Sequence, residues 1–425
     1  MLAVMRQRNF ALLWCGQLIS MLGDWVLLVA LPFYVYQRTG SALATGAMFI
    51  VETLPRLFLG SVAGVFVDRW NRRWTMIAAD FSRALILLPL LSLHGSGATW
   101  LVYVVAFAET TLSQFFSPAF GALLPTLVEE RHLTAANSLN SLGEELTRLI
   151  GPTLGGAMFG LLGLHSVVLA DSFSYVFSGI MILLIILPVS TIATPAGGIP
   201  AGVSPLLSVW REWLAGLRLM RKERLIAVLF VIVGTAMIGE GAGRAIFVPF
   251  LSRVAGNNPI IFSWILTAQG VGGVLGSLVL NRVDRLIGSF RLVAYGALLA
   301  GLFSLVEVTF PMLPVVFICT ALAGAPVVFF YVAVYTLLQR SAEDRYRGRV
   351  FGTYYNNNTV LLLVGLFVSS FLGDHIGIRP TMYLSGLFYF LAGLVAFVLL
   401  RSFRSNTLQN FTKQVWSCHA ERSEG

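Results

Sequence analysis

The sequence predicts an all-α membrane protein with twelve transmembrane helices in two pseudo-symmetric halves of six. Of the 425 residues, 57% are hydrophobic and only 12% are charged, and apolar runs long enough to cross a bilayer recur from end to end. The mean hydropathy is +0.80. This composition excludes a cytosolic enzyme, a secreted disulfide scaffold and a disordered chain, because a soluble fold of this size needs a far larger polar surface.

Each predicted helix is an apolar segment of about 20 residues or more, which is the length that a bilayer core requires. Lipid offers no hydrogen-bond partner to free backbone groups, so these segments are predicted to be helical. The twelve segments are 10–36, 42–66, 74–94, 99–123, 138–163, 166–188, 225–250, 260–281, 291–310, 313–338, 350–373 and 380–400.

The basic residues indicate the orientation of the chain. Of the 29 lysines and arginines, 22 lie in the two termini and in every second loop, whereas three lie in the other loops. The positive-inside rule therefore predicts a multi-pass protein of the cell (inner) membrane with both termini in the cytoplasm. The same placement accounts for the net charge of +9 without a nucleic-acid partner. The first apolar run is too long for a signal peptide, so we expect it to be retained.

The chain divides at its longest connection. We expect a first half at 1–188, a cytoplasmic linker at 189–224, a second half at 225–401 and a disordered tail at 402–425. Apolar residues at helical spacing in 206–220 predict an amphipathic helix on the lipid surface, with an ordinary loop helix as the alternative. Asp68 follows the second span, and Asp284 follows the eighth span, which is the matching position in the other half. Duplicated halves of this kind are typical of alternating-access transporters.

A charged signature follows the second span. Its residues are Gly64, Asp68, Arg69, Arg72 and Arg73. The glycine at its start is expected to allow close helix approach. The run resembles the loop 2–3 signature of the major facilitator superfamily, and the resemblance implies a gate that engages neighbouring helices in one access state. Asn71 stands where that signature has a glycine, and its tolerance of left-handed backbone keeps the turn feasible.

A glycine-rich run in the fifth span resembles the antiporter signature of that superfamily. Its matching residues are Gly151, Pro152, Gly155 and Gly156, and Thr147 replaces an upstream glycine. The resemblance implies export, and the alternative is a bent helix that only packs tightly. Other segments, including Leu54–Arg56 and Arg347–Gly352, resemble the branch of enterobactin exporters and macrolide efflux pumps, which has neighbours that move lysophospholipids.

Ionisable residues inside spans are functional candidates, because a charge is costly there. Asp24 and Glu109 have no partner on their own helices and lie at similar depth, so with Glu240 they are our candidates for proton coupling. The alternative is a carboxyl that only bonds to a neighbouring helix. Opposite charges one turn apart are expected to pair, namely Glu52–Arg56, Asp80–Arg83, Glu144–Arg148 and Glu240–Arg244. Asp171 and Glu307 are expected to be solvated near the outer interface.

The resemblance places spans 1, 4, 7 and 10 around a central cavity. The polar stripe Gln17, Ser20 and Asp24 on the first span is expected to face water. Aromatic residues near the cavity fit a bulky, partly apolar substrate. The candidates for contact with substrate are Gln17, Ser20, Glu52, Arg56, Phe115, Arg148, Arg244, Tyr331 and Asn357.

The sequence carries no phosphate-binding loop for ATP, no catalytic cluster and no Cys or His ligand spacing. We therefore expect no enzyme activity, no cofactor and no metal. The leading interpretation is a monomeric, proton-coupled exporter of small amphiphilic molecules of drug, macrolide or siderophore type. A lysophospholipid flippase on the same fold and a membrane sensor that does not transport are the alternatives.

Overall fold

The computed structural model describes residues 2–93, 98–186, 223–342, 346–401 and 403. Within these ranges every regular element is a helix. The predicted amphipathic helix at 206–220 lies outside the described residues, as do nearly all of the predicted linker and tail.

Six long helices make up the first predicted half. A short helix, Leu2–Met5, comes first, and Gly163 divides Leu133–Leu183 with a non-helical φ of 79° and ψ of −178°. We term the part before Gly163 α5 and the part after it α6. A 3-10 segment, Leu88–Ser92, extends the third helix. The other helices are α1 Arg8–Thr39, α2 Ala42–Val67, α3 Arg72–Leu87 and α4 Thr99–Leu127.

Six more helices follow in the second predicted half. They are α7 Arg224–Ala255, α8 Pro259–Ile287, α9 Ser289–Thr309, α10 Leu313–Ser341, α11 Arg347–His375 and α12 Ile378–Leu399. Ten segments of the described residues are long and apolar enough to cross a membrane. One of them, Glu130–Leu183, contains both α5 and α6, and α4 is a further 29-residue helix. Each of the twelve predicted spans therefore overlaps one of the helices α1 to α12.

The second six helices repeat the register of the first six. Helices α1 and α7 both have 32 residues, and helices α4 and α10 both have 29 residues. Gly163 and Gly377, which directly precede the sixth helix of each half, both have positive φ, at 79° and 101°. Positive φ favours glycine, so a backbone that needs glycine recurs at the same place in each half. The register indicates a duplicated unit.

Contacts divide the chain into two compact units. The first unit comprises Met1–Trp210, Arg244–Gly270 and Leu366–Met382. The second comprises Arg211–Gly243, Val271–Gly365 and Tyr383–Gly425. Each has its own apolar core, around Phe10, Met76 and Ile182 in the first and around Leu229, Phe330 and Ala396 in the second.

A carboxylate caps α2 inside the first unit. Asp374, near the end of α11, accepts hydrogen bonds from the Ser41 hydroxyl at 2.5 Å and from the backbone N–H groups of Ala42 at 2.6 Å and Leu43 at 3.1 Å. The first N–H groups of a helix have no partner within the helix, and the positive end of its dipole attracts an anion. The cap therefore ties the start of α2 to the end of α11.

Candidate functional site

The turn between α2 and α3 is held by arginine contacts to helix ends. Arg72 donates from Nη1 to the Ala122 carbonyl at 3.1 Å. Arg73 donates to the carbonyls of Ile182 at 3.2 Å and Leu183 at 2.6 Å. The last carbonyls of a helix lack partners within it, so a guanidinium satisfies those of Ile182 and Leu183 at the end of α6 well. Two of the predicted gate arginines thus fasten α3 to the C-terminal part of α4 and to the end of α6.

Two expectations about this turn were wrong. Asn71 has φ −71° and ψ 109°, which is extended rather than left-handed backbone, and its side chain caps α3 by accepting the Trp74 N–H at 3.2 Å. A Cβ added at Gly64 would have no described heavy atom within 4 Å, so close packing does not explain this glycine. Asp68 and Arg69 are exposed.

Phe115 was predicted to line the central cavity, but its ring stacks on the exposed ring of Trp70, with centroids 5.8 Å apart and planes at 24°. Trp70 belongs to the turn between α2 and α3. Phe115 is therefore placed beside the charged signature.

The glycines of the run in α5 fit close helix contacts. A Cβ at Gly151 would strike the Trp25 side chain, and one at Gly155 would lie 2.9 Å from the Val26 Cα. A Cβ at Gly156 would strike Ser263 at the start of α8. Pro152 lies inside the helix. Small residues allow helix backbones to approach closely in a membrane, and the run packs against α1 and α8 by this means.

A tyrosine joins the two carboxyls that the sequence singled out. The Tyr175 hydroxyl of α6 lies 2.5 Å from Asp24 Oδ1 and 2.9 Å from Glu109 Oε1. A phenolic hydroxyl has one hydrogen to donate, so two linear hydrogen bonds require a proton on one of the carboxyls. The arrangement therefore has a place for one exchangeable proton between α1 and α4.

A buried guanidinium lies beside this trio. Arg83 of α3 is 3% exposed, forms an ion pair with Asp80 and lies 3.8 Å from Glu109. Its guanidinium also stacks over the Tyr175 ring, 4.2 Å from the centroid. The expected pair of Asp80 and Arg83 therefore exists, but Arg83 also reaches into the candidate coupling site.

Asp171 and Glu307 are buried, contrary to the prediction that both are solvated. Asp171 accepts the Ser174 hydroxyl at 3.1 Å and lies against Gly23, where a Cβ would strike its carboxyl. Glu307 of the second unit accepts the Thr320 hydroxyl at 3.0 Å. The prediction inferred exposure to solvent from the position of each residue near a helix end, but neighbouring helices cover both side chains.

The network of the first unit has more carboxyl groups than buried guanidinium groups. Asp80 and Glu109 lie beside Arg83, and Asp24 is joined to Glu109 through Tyr175. Asp171 lies against Gly23, which is next to Asp24 in the chain. Arg83 can offset the charge of only one carboxyl. Ionised carboxylates are costly to bury without partners. The balance of charge therefore requires protons, water or a cationic ligand when the site is closed. Within the described ranges, no group of three or more His, Cys, Asp or Glu residues is arranged to hold a metal ion.

Glu240 has a tyrosine partner in the second unit. The Tyr389 hydroxyl of α12 donates to Glu240 Oε2 at 2.7 Å and lies 3.1 Å from the Tyr331 hydroxyl of α10. Tyr331 was predicted to contact substrate, and the structure places it in this hydrogen-bonded chain.

The remaining predicted cavity residues differ in burial. Ser20 is buried, so the first-span stripe does not face water along its whole length. Gln17, Glu52 and Asn357 are half-buried, whereas Arg56 and Arg244 are exposed. The predicted pair of Glu144 and Arg148 was wrong: exposed Arg148 lies 3.7 Å from Glu145, and Glu144 instead accepts a hydrogen bond from Asn140.

The sequence prediction missed the residues that organise these sites, Tyr175 and Tyr389. Tyrosine in an apolar span is usually interpreted as packing or lipid-facing, so neither residue stood out. The signal was the repeat, because the separation of the two tyrosines along the chain equals that of Gly151 and Gly365.

Known proteins of the same kind are transporters. The chain is 24% identical over 383 residues to macrolide efflux protein A of Streptococcus pyogenes, covering 89% of this chain and 92% of that protein. It is 26% identical over 393 residues to the multidrug efflux pump Tap of Mycolicibacterium fortuitum, with the same two coverages. A solved bacterial homologue of the iron transporter ferroportin shares the fold, with a TM-score of 0.74, 16% identity and coverage of 92% of this chain and 98% of that chain.

A family model described as transmembrane secretion effector matches residues 1–421, which is nearly the whole chain. Together with the helix register and the resemblance in the signature after the second span, this match settles the classification. The chain belongs to the transmembrane secretion effector family of the major facilitator superfamily, and it is a multi-pass membrane transporter rather than an enzyme.

Proposed function

We propose that the protein is a proton-coupled antiporter that exports small amphiphilic molecules across the cell membrane by alternating access. The proposal depends on one observation, the Tyr175 hydroxyl shared between Asp24 and Glu109. In this proposal the transporter works as a monomer, and both termini lie in the cytoplasm, which the distribution of basic residues predicts by the positive-inside rule.

The physical basis is the cost of charge inside a bilayer. An ionised carboxyl at the centre of a transmembrane helix costs about 2.5–3.5 kcal/mol on insertion scales. A proton on the Asp24–Glu109 pair removes that cost for one of the two carboxyls and supplies the hydrogen that the contacts with Tyr175 lack. Closure around the site then favours the protonated form, and opening to the cytoplasm favours release of the proton.

Antiport requires that the binding of the proton and the binding of the substrate exclude each other within the transport cycle. The candidate cavity residues Glu52, Arg56 and Arg244 join polar and charged groups to apolar walls, which suits an amphiphilic substrate. The macrolide and multidrug pumps among the relatives support drug-like molecules as the class. Export as the direction is supported by the resemblance of the α5 glycines to the antiporter signature.

The test uses the purified full chain in liposomes with an imposed pH gradient and a radiolabelled macrolide. Asp24→Asn is expected to abolish accumulation against the gradient of macrolide while leaving downhill exchange within about twofold of the parent. Glu109→Gln is expected to do the same if the carboxyls share the proton. Glu307→Gln is the control, because it removes a buried carboxyl whose hydrogen-bond partner is Thr320.

The expected pattern separates coupling from folding, since a misfolded variant loses downhill exchange as well. Uphill accumulation by both neutral variants at the rate of the parent would refute the proposal. Equal loss in Glu307→Gln would refute it too, because the effect would then follow from removing any buried carboxyl.

A further inference from the structure

We propose that Glu240 and Tyr389 form a second proton-binding site, so that each transport cycle exchanges two protons. The inference rests on the proposed antiport and extends it to the second unit. It starts from a juxtaposition that recurs in both units: a tyrosine hydroxyl on the sixth helix of each half donates to a carboxyl on the first helix of that half.

The positions match through the duplication. Tyr175 lies as far from the start of α6, directly after its glycine turn, as Tyr389 lies from the start of α12. Asp24 and Glu240 likewise lie equally far from the starts of α1 and α7, which are helices of equal length. The contacts also match, at 2.5 Å from Tyr175 to Asp24 and 2.7 Å from Tyr389 to Glu240. A carboxyl–tyrosine pair is therefore part of the repeated unit.

The hydrogen bonds around Tyr389 accommodate Glu240 with or without a proton. When Glu240 is ionised, Tyr389 donates to it and accepts from Tyr331 at 3.1 Å. When Glu240 is protonated, it donates to Tyr389, which then donates to Tyr331. In both states Glu240, Tyr389 and Tyr331 each keep at least one hydrogen bond within this chain of groups. A proton can thus bind or leave while the hydrogen-bonded chain persists.

The two sites differ in their surroundings. At the position that matches Arg83, in the register of α3 and α9, stands Ala300, and at the position that matches Glu109 stands Ala323. The titratable groups that the structure joins to Glu240 include Tyr389 of α12 and, through its hydroxyl, Tyr331 of α10, and Arg244 follows one turn further along α7. Because alanines stand at the positions that match Arg83 and Glu109, Glu240 is expected to exchange its proton without a carboxyl or guanidinium at those two positions.

Infrared difference spectroscopy of the full chain in lipid tests the site directly. Lowering the pH is expected to produce carbonyl stretching bands of protonated carboxyls. Glu240→Gln should remove one band, and Tyr389→Phe should shift that same band, because the tyrosine positions the proton by hydrogen bonding. The band assigned to Asp24 and Glu109 should persist in both variants, and Glu307→Gln is the control that must leave the Glu240 band in place.

Accumulation measured at zero membrane potential tests the stoichiometry. With a gradient of one pH unit, two coupled protons limit macrolide accumulation at about 100-fold and one proton limits it at about tenfold, since each adds a factor of ten. We expect Glu240→Gln to lower the limit of macrolide accumulation from about 100-fold to about tenfold. Glu307→Gln is expected to leave that limit unchanged.

The outcomes separate this inference from the proposed function. If the parent shows no dependence on the pH gradient, the antiport itself fails and the inference falls with it. The second outcome is that the parent is coupled to the pH gradient while Glu240→Gln keeps every infrared band of the parent and the same accumulation limit. In that case the second site is refuted, and coupling through Asp24 stands.

Discussion

Tyr175 has one hydrogen and two carboxyl neighbours, and the chemistry proposed for the first unit depends on this mismatch. The residue is fully buried, and Arg83 covers its ring. Removing only the hydroxyl keeps the ring contacts and deletes the link between Asp24 and Glu109. A variant that lacks only this hydroxyl therefore tests the role of Tyr175 in proton exchange without changing the packing of its ring.

Tyr175→Phe is expected to lower uphill macrolide accumulation at least tenfold while downhill exchange stays within about twofold of the parent. The physical reason is that the two carboxyls lose the hydroxyl through which a proton is shared. Transport by purified protein in liposomes, with and without a pH gradient, measures both quantities.

Tyr103→Phe is the matched control, because the Tyr103 hydroxyl donates to the Ala44 carbonyl at 3.0 Å rather than to a carboxyl. It should retain full coupling. Unchanged uphill transport in Tyr175→Phe would show that the hydroxyl has no part in proton exchange.

At the scale of helices, the first test concerns the glycines of α5. Gly155→Ala places a Cβ 2.9 Å from the Val26 Cα and 3.0 Å from its carbonyl oxygen, which are backbone atoms that cannot rotate away. Overpacking of this kind costs about 1–3 kcal/mol. The apparent melting temperature in detergent is therefore expected to fall.

Gly121→Ala is the control for that measurement, because no described heavy atom lies within 4 Å of its added Cβ. A helical alanine is more favourable than glycine by about 0.5–1 kcal/mol, so this variant should melt at or above the parent temperature. If Gly155→Ala and Gly121→Ala have the same melting temperature, the interpretation that Gly155 allows close packing of α5 is wrong.

The second test at this scale concerns the cap that Asp374 provides. Asp374→Asn removes the charge from three hydrogen bonds at the start of α2, and loss of a cap costs about 0.5–2 kcal/mol. We expect a lower melting temperature and greater labelling of a cysteine introduced at Leu43.

Glu129→Gln is the comparison for Asp374→Asn, since Glu129 forms an exposed ion pair with Arg131 and such pairs contribute little. It should change neither melting nor labelling. If Asp374→Asn behaves like Glu129→Gln, the cap does not hold the two helix ends together.

At this scale the sequence predicted the helices and missed their contacts. Apolar length predicted a helix at the position of each of α1 to α12, because the bilayer sets the length of an apolar helix. Pairing of Glu144 with Arg148 was predicted from spacing alone and was wrong, because Asn140 and Glu145 compete for the same partners. Spacing along one helix carries no information about side chains that arrive from another.

Over the whole molecule, the distribution of basic residues predicts the topology. A cysteine placed at Gly198, in a chain whose three native cysteines are replaced by serine, is expected to react with a membrane-impermeant maleimide only in inside-out vesicles. A cysteine placed instead at Asn257, between α7 and α8, should react only in right-side-out vesicles. Labelling of the cysteine at Gly198 from outside would overturn the arrangement of twelve spans with cytoplasmic termini.

The duplicated architecture was visible in the sequence as a few matching motifs, and the helix bounds extend the match over most of the chain. Composition and periodicity could predict this much because both reflect the lipid solvent. The candidate site depended instead on where Tyr175 and Tyr389 meet carboxyls from distant helices. Such contacts between helices follow from tertiary packing. The only indication of them in the sequence was the regular spacing of the repeat.

The equal lengths of α1 and α7 have a consequence for how such a chain can change during evolution. One residue inserted into a helix turns everything beyond it by about 100° and shifts it by 1.5 Å. An insertion between Arg8 and Asp24 would thus turn the Asp24 carboxyl away from Tyr175 or displace one end of α1 from the helices around it. Insertions and deletions are therefore expected to accumulate in the connections, while the spans drift by substitution alone.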